Sequence, residues 1–410
     1  MGETGKRILT ALACIIMGCA LSTVLLYGTF ARGGGRQTAA ADDVAKGQEK
    51  YAEIIGVAEE YFIGDSVDMD QVNDAMAAGV VAGLGDRWSY YVSAEDYQSY
   101  QDGKMNAYVG VGITVQANID EVTGNQHGLL VQDVSSGGSA LEQGVQVGDI
   151  LVAVDGNDVT ESAVTEVKQM VAGEAGTQVL LTFERKGKTV SVTCTRKALT
   201  VIPASGELLD GSVGYIRIEN FDGGCADAVI ALVEDLRARG AKSLLFDVRN
   251  NPGGLKTELI ALLDYLLPEG VIFHSVNYQG TESIAQSDAG CVDMPMAVLV
   301  NFKSYSASEY FACALQEYGA GIVVGEQTYG KGYYQIGIPL KDGSAVNLSV
   351  GKYYTPQGKS LIDVGVTPDI AVSLDEGQDL LLASKKLEHD EDPQLRAAVD
   401  ALSAQSDTTE

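Results

Sequence analysis

Residues Val298 to Gln335 read VLVNFKSYSASEYFACALQEYGAGIVVGEQTYGKGYYQ. An apolar strand (Met296 to Val300) runs into a tight loop. A helix opens at Ser306, a second apolar strand follows (Ile322 to Val324), and a glycine-flanked lysine, Lys331, leads out. The hydroxyl and the amine both stand at the ends of regular elements, where a rigid frame projects side chains instead of packing them inside. Ser306 and Lys331 are read as a nucleophile and its base.

Both residues have plainer readings. Ser306-Ala307-Ser308-Glu309 fits the S-x-x-E capping box, and most such sequences only cap a helix. Gly325 to Lys331 fits the phosphate-loop spacing G-x-x-x-x-G-K after an apolar strand. That second reading fails twice: Gly332 replaces the Ser/Thr that would hold magnesium, and GYYQIGIPL has the alternation of a strand where a phosphate loop needs a helix.

A serine hydroxyl attacks a carbonyl only when a base removes its proton, and histidine is the usual base. The three histidines, His127, His274 and His389, fall in a β-rich region, a strand and a charged tail, and no G-x-S-x-G elbow occurs. Lysine is the remaining base, and it must be neutral, which means bringing its pKa from roughly 10.4 toward about 7–8 by desolvation. Tyr329, Tyr333 and Tyr334 are placed to exclude water around Lys331. Gln335, four residues on, offers its amine an uncharged hydrogen-bond partner.

With 410 residues the chain is long enough for two or three domains, and 46% hydrophobic content gives each a core. A net charge of −28 argues against nucleic-acid binding. Ile8 to Phe30 is a 23-residue run without charge, long enough to span a bilayer, flanked by Lys6 and Arg7 before and by Arg32 and Arg36 after. It is read as a signal anchor (1–30) that places the rest outside the cytoplasm as a single-pass protein at the cell membrane; cleavage of the segment is the alternative. Cys194, Cys225, Cys291 and Cys313 show no metal-ligand spacing and are read as buried free thiols, with no metal and no disulfide.

Residues 31–43 read as a Gly/Ala-rich linker, and 44–104 as a helical region, with Tyr51, Ile54, Ile55, Ala58, Tyr61 and Phe62 at helical spacing. Residues 105–198 change to short β-rich runs with many glycines and one helix. There Val109-Gly110-Val111-Gly112-Ile113 can aim backbone N–H groups at a terminal carboxylate. From 199 to 375 strands and helices alternate. The buried strand KSLLFDVR ends at Asn250-Asn251-Pro252-Gly253-Gly254, a turn that leads into a helix and can hold an oxyanion. A helical tail, 376–410, closes the chain.

Two resemblances sharpen this reading. Residues 105–198, above all GDILVAVDG, resemble a PDZ domain of the circularly permuted kind in which the carboxylate loop comes first. NFKSYSASE, GKGYYQ, NNPGG, KYYTPQGKSL with GVTPDI, LGDRWSYYVSAEDY and DPQLRAAV together resemble the carboxy-terminal processing peptidases, serine proteases of the S41 family. The resemblance implies a multidomain α/β protein: a ClpP/crotonase-like catalytic core, the PDZ domain preceding it, and N-terminal helices behind the transmembrane anchor. It assigns Ser306 as nucleophile, Lys331 as general base and Gln335 as the lysine-orienting residue, with an oxyanion hole from Ala307 and the Gly253-Gly254 turn. It further implies no cofactor, polypeptide substrates with free apolar C-termini held at Val109 to Ile113, and a homodimer formed through the terminal helices. Lys303, Tyr305 and Tyr333 depart from the small residues common in the family. The rival class is a catalytically silent, membrane-tethered PDZ adaptor, which has no use for Ser306, Lys331 and Gln335 together.

Overall fold

The computed structural model describes residues 41–64, 66–119, 124–209 and 212–407. The membrane anchor read at Ile8 to Phe30 lies outside the described residues. Among the described residues no helix is long and apolar enough to cross a membrane.

Helix α1 (Ala41–Tyr61) takes in the last three residues of the expected linker, and α2 (Met69–Ala82) follows. The apolar spacing on α1 buries no residue fully: Ile54 and Tyr61 are exposed, and Tyr51, Ile55 and Ala58 are half-buried. A short strand β1 (Tyr90–Val92) then precedes α3 (Ala94–Lys104), whose cap is Ser93, with Asp96 N–H donating to its hydroxyl at 3.0 Å.

The β-rich region runs β2 (Ala107–Gly110), β3 (Ile113–Ile119), β4 (Gln126–Val134), α4 (Ser139–Glu142), β5 (Ile150–Val154), β6 (Asn157–Asp158), α5 (Val164–Val171), β7 (Gln178–Arg185), β8 (Lys188–Thr195) and β9 (Lys197–Thr200). It holds two helices where the sequence predicts one. One sheet is ordered β3-β4-β5-β7-β8, with β6 on β5, so β3 is an edge strand. Leu129, Val131, Leu151, Val167, Leu181 and Phe183 form its core. Outside it, β2 and β9 pair as a two-stranded neck. Asn106 stitches this neck to the next region, its amide donating to the Gly223 carbonyl and to Asn220 Oδ1, both at 3.0 Å.

The remaining chain supplies β10 (Ala204–Leu209), β11 (Val213–Ile218), α6 (Cys225–Ala238), β12 (Ser243–Asp247), α7 (Lys256–Leu266), β13 (Gly270–Asn277), β14 (Glu282–Ser287), β15 (Met296–Val300), α8 (Ala307–Glu317), β16 (Gly321–Gly325), β17 (Tyr333–Pro339), β18 (Ala345–Tyr354), β19 (Ile370–Ala371), α9 (Gln378–Ala383) and α10 (Pro393–Asp407). The central sheet is ordered β10-β11-β12-β15-β16-β19, parallel throughout except for the edge pair β10–β11. Both faces are covered, which is why its strands read as continuous apolar runs. Phe246, Val298 and Val323 point to the side packed by α6, α7 and α8. Leu245, Leu299 and Val324 point to the opposite side, where Leu395, Ala398 and Leu402 of α10 close the sheet.

A second, antiparallel sheet carries the lysine. Strand β18 pairs with β17 along one edge, and with β1 and β13 along the other. GYYQIGIPL is therefore the strand its alternation predicts, and a phosphate loop is excluded. Cys194, Cys225 and Cys313 are buried free thiols, whereas Cys291 is exposed, a correction to the expectation for it.

Candidate active site

Strand β15 ends at Val300 and α8 begins at Ala307, so Ser306 is held between two buried elements. Its backbone lies at φ 62°, ψ −121°, a region that side-chain-bearing residues seldom occupy. Such a conformation costs about 1–3 kcal/mol and persists only where the surroundings over-determine it. They do so here. Ser304 Oγ donates to the Val248 carbonyl at 2.7 Å, and Asn250 N–H donates to Asn301 Oδ1 at 3.0 Å.

The turn after β12 is braced against the same loop. Asn251 is fully buried; its amide donates to the Ile218 carbonyl at 2.7 Å, and its own carbonyl accepts from Tyr305 N–H at 3.3 Å and from Ser308 Oγ at 2.9 Å. Gly253 sits at φ +87°, and a Cβ there would fall 2.8 Å from both Ser306 Cβ and Ala307 N. Only a glycine lets the turn approach the serine this closely. Gly253 N–H is committed to Asn251 Oδ1 at 2.9 Å. The N–H groups of Gly254 and Ala307 donate to no acceptor among the described residues.

The capping box of α8 is only half of what its sequence predicts. Ser306 N–H donates to Glu309 Oε2 at 3.1 Å, but the Ser306 hydroxyl makes no cap hydrogen bond and lies instead within hydrogen-bonding reach of the Tyr353 hydroxyl. Glu309 is fully buried and also accepts from Lys331 N–H at 2.9 Å, Gly330 N–H at 2.6 Å and Thr328 Oγ1 at 2.6 Å.

Lys331 is half-buried on the loop between β16 and β17. Burial pushes its amine down to about 8, and nearby Lys104 adds to this; Glu309 and Asp86 act in the opposite direction. Its Nζ stands 4.3 Å from the centroid of the Trp88 ring. Trp88 in turn packs against Tyr305 and Tyr329 at centroid distances of 5.9 and 5.5 Å. Tyr353 donates to the Lys331 carbonyl from the adjacent strand.

The water shield thus differs from the sequence reading. Tyr329 takes part, but Tyr333 faces Lys352 and Tyr334 packs against Gly351 and the core. Gln335 is on the predicted strand, yet its amide donates to Ser349 Oγ at 3.0 Å and to the Tyr333 carbonyl at 3.3 Å, with no bond to the lysine. Ser306 and Lys331 are brought together through their backbones, and their side chains are not hydrogen-bonded to each other. Trp88 lies within the LGDRWSYY run, but no spacing rule links it to a lysine so far along the chain.

At the other candidate site, Val109 and Gly110 belong to the neck, Val111 and Gly112 form a loop, and Ile113 opens β3. The Val111 carbonyl accepts from Ala140 N–H at 3.0 Å and the Gly112 carbonyl from Ser135 N–H at 2.9 Å, so α4 and the turn before it hold the loop. The N–H groups of Val111 and Gly112 donate to no acceptor among the described residues. Ile113 and Val115 of β3, with Val164 and Val171 of α5, are only partly buried against the domain core. An exposed strand edge beside an apolar helix face is the arrangement that accepts an added peptide strand.

Residues 212–372 match peptidase family S41, and residues 130–185 match the PDZ domain. The carboxyl-terminal-processing protease of Synechocystis sp. is 34% identical over 330 residues, covering 79% of this chain and 75% of that protein. The chloroplastic carboxyl-terminal-processing peptidase 2 of Arabidopsis thaliana is 32% identical over 301 residues, 71% of this chain but only 58% of the relative. Among solved structures, the photosystem II D1 C-terminal processing protease aligns with 83% of this chain and 92% of its own at 26% identity and a TM-score of 0.47. The chain belongs to peptidase family S41, as a serine-type peptidase of mixed α/β fold with a PDZ domain.

Proposed function

We propose that this chain is an endopeptidase that cuts polypeptides selected by their C-terminal tails, with Ser306 as nucleophile, Lys331 as general base and Gln335 as the residue that orients the lysine. The observation that carries the reading is the half-buried Lys331 amine, brought down to about 8 and mounted on a loop that shares a hydrogen-bond acceptor with Ser306. A lysine in that range is neutral often enough near pH 8 to take a proton.

The tail of a substrate adds to the β3 edge, its carboxylate on the Val111 and Gly112 N–H groups and its last apolar side chain between β3 and α5. Further along the substrate, Ser306 Oγ attacks a peptide carbonyl as Lys331 takes its proton. Ala307 and Gly254 N–H stabilise the oxyanion; Gly254 is preferred over Gly253 because Gly253 N–H is already bonded to Asn251. Lys331 then protonates the leaving amine, and water deacylates the serine. Productive alignment requires the lysine to leave the Trp88 face and Gln335 to leave Ser349. Peptide binding at the PDZ domain that favours the aligned state would supply the coupling.

Ile8 to Phe30 tethers the chain to the membrane with the peptidase on the extracytoplasmic side, and two copies pair through the terminal helices, for which the exposed Ile54, Val57 and Tyr61 are available. Carbonate-resistant sedimentation with membranes tests the tether, and recovery in the soluble fraction counts against it. Equilibrium sedimentation at the monomer mass would count against the pairing. The proposed chemistry is tested by the full chain cutting an unfolded reporter with an apolar tail, beside Ser306→Ala and Lys331→Ala. Loss of cutting with tail binding retained in both variants is expected. Tail binding without cutting in all three proteins would favour the PDZ adaptor.

A further inference from the structure

A glutamate in a capping box spends one oxygen on the N–H of its own cap residue. Glu309 does that with Ser306, but three of its four hydrogen bonds run to residues 328–331, on a different loop. Oε2 accepts from Ser306 N–H and Lys331 N–H; Oε1 accepts from Gly330 N–H and Thr328 Oγ1. All four partners are donors, and only an ionised carboxylate presents two acceptor-only oxygens to them. An amide would turn its NH₂ toward at least one backbone N–H whichever way it flipped, and only the Thr328 hydroxyl could turn to accept from it.

The carboxylate is kept at this place against two costs. Burial pushes its own carboxyl up, so that holding the charge consumes the energy of these hydrogen bonds. Its charge also works against the lowered Lys331 amine, which the proposed chemistry needs. A group serving only the helix end could be replaced by a neutral cap with neither cost. What the charge uniquely supplies is a common anchor for the strained Ser306 backbone and the Lys331 loop.

We propose that Glu309 is a positioning residue for the peptidase reaction: its carboxylate clamps the Ser306 turn and the Thr328–Lys331 loop to one another and so fixes the distance from which the amine must reach the hydroxyl. This rests on the Ser306–Lys331 reading. Thr328 is the second member of the clamp, because its hydroxyl donates to Glu309 while accepting from Val366 N–H at 2.7 Å. The other titratable groups facing Glu309 are Lys331, Tyr353 and Cys313; those facing the Lys331 amine are Lys104, Glu309 and Asp86.

The test compares Glu309→Gln, Thr328→Val, Ser306→Ala and Lys331→Ala with the wild-type full chain, reading kcat and KM from pH 6 to 10 alongside thermal melting. Glu309→Gln is expected to lose about 100-fold in kcat with KM nearly unchanged, the scale set by a misplacement of about 1 Å. Activity must rise with pH as the lysine loses its proton. Removing the Glu309 charge destabilises the ammonium, so the residual activity should rise about one pH unit earlier. Loss of that charge moves the limb whatever else the carboxylate does, so the clamp itself is read from a fall in kcat at unchanged KM and unchanged melting temperature. Thr328→Val keeps the charge, and should lose about 10-fold in kcat with the limb in place. Wild-type kcat in Glu309→Gln, or a loss that falls on KM instead of kcat, overturns the proposal. Should Glu309→Gln not fold, Thr328→Val decides, and an unchanged kcat there overturns it. If Ser306→Ala or Lys331→Ala cuts normally, the underlying reading fails instead.

Discussion

Lys331 Nζ rests 4.3 Å from the centroid of the Trp88 ring, with the Arg87 guanidinium stacked on the same indole at 5.0 Å. The indole has two opposed effects on the amine. Its face attracts the ammonium by about 0.5–2 kcal/mol, while its bulk excludes the water that an ammonium needs. Burial is the largest of the influences that lower this amine, and water exclusion by the ring is taken as the stronger of its two effects.

Trp88→Ala should therefore raise the lysine from about 8 toward its ordinary value. The rise of kcat/KM with pH is expected to move up by about one unit, and the deficit at neutral pH should close by about pH 10. A profile from pH 6 to 10 checks this. A limb that stays in place would mean that the two effects cancel, and one that moves down that the cation–π attraction outweighs desolvation.

Gly253→Ala places a methyl group 2.8 Å from Ser306 Cβ and Ala307 N at a backbone φ of +87°. Gly224 is the control, with φ +81° and open space around its added Cβ. Both variants should carry backbone strain of about 1–3 kcal/mol. Only Gly253→Ala should also displace the proposed oxyanion donors, with kcat lower by about 100-fold or more. Equal kcat losses in the two variants would separate the turn from the chemistry.

Arg249 is buried just before the Asn250–Gly254 turn, and it donates to Asp247 Oδ2 at 2.6 Å and, through Nη1, to Gln394 Oε1 at 2.9 Å, with Asp392 Oδ2 at 2.8 Å. It joins the central sheet to the start of α10. Arg249→Met removes the cation that Asp247 and Asp392 share, leaving Asp247 with the field of Arg217 alone, and should cost about 3–5 kcal/mol. Urea unfolding measures this, and a loss below about 1 kcal/mol would show that the carboxylates find other partners.

The frame around Ser306 is legible in the sequence because every signal there is local. Val298 and Leu299 sit in an unbroken apolar run, S-x-x-E marks the helix start, and Gly321 and Gly325 bracket the next strand. Leu259, Leu262, Leu263 and Leu266 are buried as their spacing predicts. What stays hidden is set by tertiary contact. Trp88 reaches Lys331 because β1 pairs with β18, a match between residues 90–92 and 345–347 that no short-range pattern encodes. Tyr333 and Tyr334 take opposite faces of β17, and their tertiary partners, Lys352 for one and Gly351 with the core for the other, draw both from the amine. Glu309 reads as half of a cap because its other three partners lie on another loop. The apolar stripe of α1 predicts a packing or dimer-forming face; in the single chain Ile54 and Tyr61 of that stripe are exposed.

The central claim is that Lys331 activates Ser306, and the most direct measurement is the rate at which a serine-reactive phosphonate labels the full chain as a function of pH. Labelling is expected to be confined to Ser306, to rise with pH through about 8, and to be slower by about 100-fold or more in Lys331→Ala. Labelling of Ser306 at an unchanged rate in Lys331→Ala, or a rate flat across that range, would contradict that claim.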